Sequence, residues 1–395
     1  MLIGAEDHKS ASPTPSAVPI ERSRGAAVQA AIVNLRSDPA MPKQAINPAM
    51  RDGLPKVLPS KQALVSPGRT LRSGVIQRLA PRFIAASVMR VASSRKPVVL
   101  IYHDVPSAAG NHSVDLRTFE SHITFMKRHF DFISPQQLKE RRHTLSRIRV
   151  LLTFDDGFRN QFELAKRVLL NHSVPALFFI SSRHSSPGAY LWFAYERMLA
   201  GHFQGEGFSF RGMYFSMRPE HRVESMGRLR TVLLDLKPHP SAMYRAIEQE
   251  LPPVKEMIDR KVATDRYQGM SADEVADLAR EPQFTIGCHT VDHPLLTRCT
   301  YQEAYRQIAD NREWLERVSK RKCATIAYPG GDYNAQIINL CRDLALTDGF
   351  AEIPKLRSIP QFEVPRIGVY SASVFFLGCK VKWGNLLRKT SLPFG

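Results

Sequence analysis

The chain is poor in features that several protein classes depend on. Its five cysteines, Cys288, Cys299, Cys323, Cys341 and Cys379, are odd in number and fall in no CxxC or similar metal spacing. That argues against a disulfide framework and for a reducing compartment. No apolar run approaches the roughly 18 residues needed to cross a bilayer, and the start, MLIGAEDHKS, lacks the charged head and apolar stretch of a secretory signal. These absences predict a cytoplasmic protein that does not span the membrane. Aromatic residues are almost missing from one end: Phe83 is the single Phe, Tyr or Trp in residues 1–96, a stretch that also holds ten prolines.

Acidic residues are scarce in the same place. The 395 residues carry a net charge of +18, and residues 1–96 contain 15 Lys/Arg against 5 Asp/Glu. Most of the excess therefore sits in a quarter of the chain with no sustained period, and residues 1–74 are expected to be a disordered, basic, Pro/Ala/Ser-rich extension. Residues 75–96 read as an amphipathic basic segment, because Ile84, Val88 and Val91 recur at helical spacing in PRFIAASVMRVA. Peripheral contact with the inner membrane face and packing against the following domain are both open for it. Nucleic acid is not an expected partner, since no basic-aromatic motif accompanies the charge.

From residue 97 the pattern changes to apolar strands alternating with helices. KPVVLIYHDV, RVLLTF, VPALFFI, FTIGCH and ATIAYPGG read as strands with their following loops. FELAKRVLLNH, SADEVADLAR, TYQEAYRQIADNREWLERVSK and NAQIINLCRDLAL read as helices. Repeated β-α units with fully apolar strands imply a parallel sheet, open or closed into a barrel. Residues 186–262 interrupt the rhythm with a helix-like basic stretch, taken as an insertion. Residues 371–395 are left as a C-terminal tail.

The polar outliers stand at strand ends, where parallel α/β folds gather their sites. Tyr102 and His103 end the first strand, Asp155 and Asp156 the second; His289 and His293 follow FTIG, and Tyr328 follows ATIA. Two histidines and a carboxylate are a common catalytic Zn²⁺ set. The pair is not HExxH, because Thr290 follows the first histidine, so a base must come from elsewhere. Successive strand residues face opposite ways. One of the adjacent aspartates can then bind a metal while its neighbour faces a water.

TFDDG (153–157) followed by HTVDHP (289–294), with IYHDV, AYPGG and VPRIGV (364–369), resembles the NodB-homology polysaccharide deacetylases, carbohydrate esterase family 4, over residues 97–370. The resemblance implies a distorted (β/α) barrel with fewer than eight units, a divalent metal, most simply Zn²⁺, and removal of N-acetyl groups from amino sugars of a polysaccharide or lipid-linked precursor. It makes Asp155 the general base and Asp156, His289 and His293 the metal ligands, with a backbone N–H near Tyr328 helping to stabilise the oxyanion. Two departures stand out. The third motif reads Ala327-Tyr328-Pro329 where the family commonly has an arginine, and no histidine follows His293. Arg366 is the replacement expected to orient Asp155, and His103 the replacement acid. A non-catalytic carbohydrate-binding or biosynthesis-complex protein and a deformylase of a lipid-linked amino sugar are the alternatives. Asp292 and Asp332 are read as solvated loop carboxylates, Trp192 as a possible sugar platform, Trp314 as core and Cys288 as a small filler.

Overall fold

The computed structural model describes residues 96–107, 114–140, 147–356 and 359–387. The extension 1–74 and nearly all of the segment 75–96 lie outside the described residues. In chain order the elements are β1 (Val98–Tyr102), α1 (Leu116–His129), β2 (Asp131–Phe132), β3 (Arg149–Phe154), α2 (Lys166–Asn171) and β4 (Ala176–Ile180). Then come α3 (Trp192–His202), β5 (Gly207–Phe210), β6 (Met213–Ser216), α4 (Pro219–Asp235), α5 (Ser241–Gln249), α6 (Val254–Met257), α7 (Arg260–Tyr267) and α8 (Ala272–Arg280). β7 (Phe284–Cys288), α9 (Tyr301–Ser319), β8 (Thr325–Ala327), α10 (Ala335–Asp343), β9 (Asp348–Ala351), β10 (Val364–Gly368) and α11 (Val374–Leu387) complete the fold.

Seven strands form a closed ring in the order β1, β10, β9, β8, β7, β4, β3, and β3 returns to β1. Every pairing in the ring is parallel. This is the expected (β/α) barrel with fewer than eight units. β1, β3 and β4 are buried along their whole length, as strands covered on both faces must be. Strand alternation divides them. Val99, Leu151, Leu177, Phe179, Ala327 and Phe350 pack with one another, while Leu100, Leu152, Phe154 and Phe178 join the larger core beneath the helices.

Caps explain the helix starts. Ser271 with Glu274 and Thr300 with Glu303 form capping boxes for α8 and α9, and the Asn334 side chain caps α10. The stretch expected as one helix after β3 begins with a π-turn over Gln161–Ala165 before α2. The expected C-terminal tail in fact opens with α11, whose Leu377 and Val381 are buried in the main core.

The insertion departs most from its sequence reading. It packs around its own apolar cluster, which includes Tyr195, Met198, Phe215, Leu229 and Met243, and it contains an antiparallel hairpin, β5–β6, inside the stretch expected to be helical. The hairpin turns on Arg211 and Gly212, both at positive φ (50° and 75°). Two such residues make the turn whose twist suits a tight hairpin.

Candidate active site

The end of β3 decides the geometry. Leu151 faces the barrel interior, so alternation sends Thr153 and Asp155 the same way. There Asp155 meets Arg366 of β10 in a bidentate pair: Nη1 to Oδ1 at 2.6 Å and Nη2 to Oδ2 at 2.8 Å. Both side chains are buried, and the Arg366 guanidinium lies 5.2 Å from the Phe179 ring centroid. Burial alone would raise the Asp155 carboxyl. The Arg366 charge, aided by His289 and His103, outweighs it and holds Asp155 below the usual carboxylate range. Arg366 and Asp155, 211 residues apart in the chain, are thus brought into contact.

Asp156 turns out of the strand with φ 75°, and Gly157 follows at φ 87°. A side chain on Gly157 would place its Cβ 2.6 Å from Ile180 Cγ2, so glycine is required both by the backbone and by the close approach to β4. The Asp156 backbone is fixed by its carbonyl, which accepts from Ser181 N–H (3.0 Å) and from His184 Nε2–H (2.9 Å). Burial pushes His184 down to about 4, so it is a neutral donor at pH 7.

Asp156 Oδ1 lies 3.4 Å from His289 Nε2 and 3.4 Å from His293 Nε2. All three side chains are buried, and one ligand atom from each falls within 4.8 Å of the others. His289 donates its Nδ1–H to Ala327 O (2.9 Å), which directs Nε2 at the carboxylate, the usual device for a metal-binding imidazole. Its N–H is held by Asn311 Oδ1 (3.0 Å), and its carbonyl accepts from Ser181 Oγ (2.9 Å). His293 sits at φ 52°, its N–H bound to Thr290 Oγ1 (3.1 Å) and its carbonyl to Trp192 Nε1–H (2.9 Å). Burial would lower His289, but Asp156 and Asp155 raise it; His293 is pushed down to about 3 by burial and by the His289 charge. Burial opposes ionisation of Asp156 as well, yet the two histidines pull its carboxyl well below the usual range.

This set fits a divalent cation on its own chemistry. Asp156 Oδ2 is buried without a hydrogen-bond partner, an arrangement that costs free energy unless another group meets the cluster. A carboxylate and two correctly turned imidazoles form an N₂O donor set that leaves positions open.

His103 follows β1, where Tyr102 pairs with Phe154 and Tyr102 O accepts from Asp155 N–H (3.0 Å). The fully buried Gln161 stitches the two strand ends, its Nε2 donating to both His103 O (2.5 Å) and Asp155 O (2.6 Å). Asn160 Oδ1 accepts from Val105 N–H (3.0 Å). His103 is partly exposed and stacks on Tyr370, centroids 5.8 Å apart. Its neighbour Asp104 is raised by burial, a tendency that Arg197 and His103 moderate.

Tyr328 is buried in the barrel. Its N–H donates to Phe350 O (3.3 Å) and its hydroxyl to Phe362 O (3.1 Å). Both donors are engaged in the barrel, so oxyanion stabilisation by this N–H requires it to leave Phe350. Trp192 is buried with its indole N–H on His293 O and supports the His293 loop instead of offering a platform to solvent. Asp292 and Asp332 are also bound: Asp292 to Arg183 (3.0 Å) and Gln307 (2.6 Å), Asp332 to Thr297. Trp314 packs on the main core. Cys288 Sγ lies 3.3 Å from Cys323 Sγ in that core, and burial raises its thiol.

The supporting residues His184, Ser181, Asn311, Asn160 and Gln161 were not singled out from the sequence. The signal was weak: polar residues one to seven positions beyond apolar strands, or one asparagine on the buried side of α9.

Residues 254–348 match the profile of the family described as polysaccharide deacetylase. No curated protein matches the chain. Among solved structures, the Streptococcus pyogenes deacetylase PplD in complex with acetate is similar at 15% identity. It covers 76% of this chain and 100% of its own, with a TM-score of 0.44. IcaB from Ammonifex degensii is similar at 16% identity over 73% of this chain and 98% of its own, TM-score 0.46. The BpsB deacetylase domain from Bordetella bronchiseptica is similar at 12% identity, 70% and 97% coverage and TM-score 0.42. By its motifs, and by this match over residues 254–348, the chain resembles the NodB-homology polysaccharide deacetylases.

Proposed function

We propose that the protein is a metal-dependent hydrolase that removes N-acetyl groups from amino sugars of a polysaccharide or a lipid-linked glycan precursor. The observation that carries this is the division of labour at the end of β3. Asp156 shares one oxygen with two histidine Nε2 atoms, while Asp155 beside it is clamped by Arg366.

Asp156, His289 and His293 would hold the ion. When bound, a divalent ion of the Zn²⁺ type supplies Lewis-acid polarisation of an acyl carbonyl and makes a water more acidic. Asp155, ionised because Arg366 offsets its burial, accepts the proton of the attacking water. Arg366 fixes the plane of that carboxylate through two bonds, so its lone pairs keep one orientation through the cycle. His103, partly exposed at the neighbouring strand end, donates a proton to the departing amine nitrogen.

Arg366 also bears on the non-catalytic alternative. The third motif lacks the family's common arginine, but an arginine from β10 stands against the base. A buried bidentate pair that fixes the carboxylate plane there favours the hydrolase reading.

Acetate release from N-acetylglucosamine oligomers, set beside formate release from an N-formyl amino sugar, tests the reading. Acetate release lost in His103→Asn with metal content unchanged supports it. Formate release alone moves the assignment to the deformylase, and neither product from metal-loaded protein returns it to binding.

A further inference from the structure

All seven barrel strands run the same way, so the loops after β1, β3, β7, β8, β9 and β10 share one rim, the rim that carries the candidate site. Among the described residues, eleven large apolar side chains are exposed, and six of them lie between 353 and 376. Ile353 (75% exposed) and Leu356 follow β9. Tyr370 (55%), Val374, Phe375 (43%) and Phe376 (42%) follow β10 and open α11. Tyr370 borders the site itself. It stacks on His103, and Ile353 O accepts from the hydroxyl of Tyr333 in the loop after β8 (3.3 Å).

Cations accompany the apolar groups. Lys355 lies over the Tyr333 ring (5.0 Å), and Lys380 donates to Gly368 O (2.9 Å) with its ammonium 5.8 Å from the Tyr370 ring. Residues 364–395 contain five Lys/Arg and no Asp/Glu, and residues 1–96 contain 15 against 5. Glu352 is the exposed acid beside Ile353. The chain enters β1 from the opposite rim, so the residues immediately before Val98 start at the end of the barrel away from this patch. Apolar side chains from two separate segments around a site mouth, set in a basic chain, match the demands of an anionic lipid surface, where aromatics enter the headgroup boundary and cations meet the phosphates.

We infer that the rim bearing Ile353, Leu356, Tyr370, Val374, Phe375 and Phe376 docks on an anionic bilayer and presents the site to an amino sugar anchored there by a lipid. This rests on the deacetylase reading for the identity of the reaction, while the docking itself is independent of it.

The test uses the full chain and vesicles of phosphatidylcholine with or without phosphatidylglycerol. Flotation with the anionic vesicles is expected, weakening as salt is added. The Phe375→Ser/Phe376→Ser variant is expected to lose affinity about tenfold or more, while its acetate release from a water-soluble oligomer stays at the wild-type level. Ile353→Ser, remote in sequence from α11, guards against local damage to the helix and is expected to lose a smaller share. Asp155→Asn is expected to float as the wild type does, so a failed deacetylase assay leaves the docking result standing. Equal flotation of wild type and both apolar variants overturns the inference, because the basic ends alone would then explain binding. No flotation, with the Phe variant converting a dimer to a monomer in sedimentation, overturns it in favour of self-association.

Discussion

The barrel and the insertion between β4 and β7 reach the same loop by different means. Barrel strands deliver ionisable side chains: Asp155 and Asp156 at the end of β3, His289 and His293 after β7, and Arg366 from within β10. The insertion contributes backing. Trp192 binds His293 O (2.9 Å), Tyr244 binds Asp292 O (2.8 Å), and the Phe193 ring meets the His293 ring at 4.7 Å. Changes on the barrel side should therefore strike the proposed chemistry, and changes in the insertion should loosen the loop that carries His293.

The largest effect is expected from Arg366→Ala. It leaves the Asp155 carboxylate buried without its partner, a loss of about 3–5 kcal/mol for a broken buried pair, visible as a lower urea midpoint together with collapsed turnover. The pair also sets a pH dependence. The folded Asp155 titrates below its unfolded value, so its stabilisation is present above the unfolded pKa of about 4. It fades as pH falls through the folded value. Arg366→Ala should flatten that acid limb.

His103→Asn comes next, with turnover expected to fall about 10²- to 10⁴-fold, the usual worth of a general acid, and bound metal unchanged by elemental analysis. Trp192→Phe crosses to the insertion. It removes the indole N–H from a buried carbonyl, which costs about 1–3 kcal/mol, and should weaken metal affinity about tenfold in a competition titration. The smallest effect belongs to Gly212→Ala at φ 75°, where no neighbour stands near the added Cβ. The left-handed backbone alone costs about 1–2 kcal/mol, read as a lower melting temperature with turnover unaffected.

The same contrast explains what could be read from the sequence. Continuous apolar strands such as VVLIY and RVLLTF and the Ser271 and Thr300 caps made the barrel legible, and polar residues at strand ends pointed to the cluster of Asp156, His289 and His293. The alternation of β3 sends its two aspartates to different neighbours, Asp155 to the arginine of VPRIGV and Asp156 to the two histidines. The hairpin was missed because GFSF and MYFS are short and lie among helical stretches, so the Arg211-Gly212 turn that defines them carried little weight. Spacing does not reveal that the Tyr328 N–H is spent on Phe350 O. Trp192 was misjudged for a similar reason, since only the tertiary fold brings α3 under His293. Supporting groups such as His184 and Gln161 act through carbonyls far away in sequence, which no local pattern records.

One measurement bears on the metal site and the base together: bound metal and acetate release, on the full chain loaded with Zn²⁺, for wild type and Asp155→Asn. The expected result is stoichiometric metal in both proteins and acetate from the wild type alone. Absence of metal from the wild type under excess Zn²⁺, or an Asp155→Asn variant that releases acetate at the wild-type rate, would contradict the assignment of Asp156, His289 and His293 as ligands or of Asp155 as base.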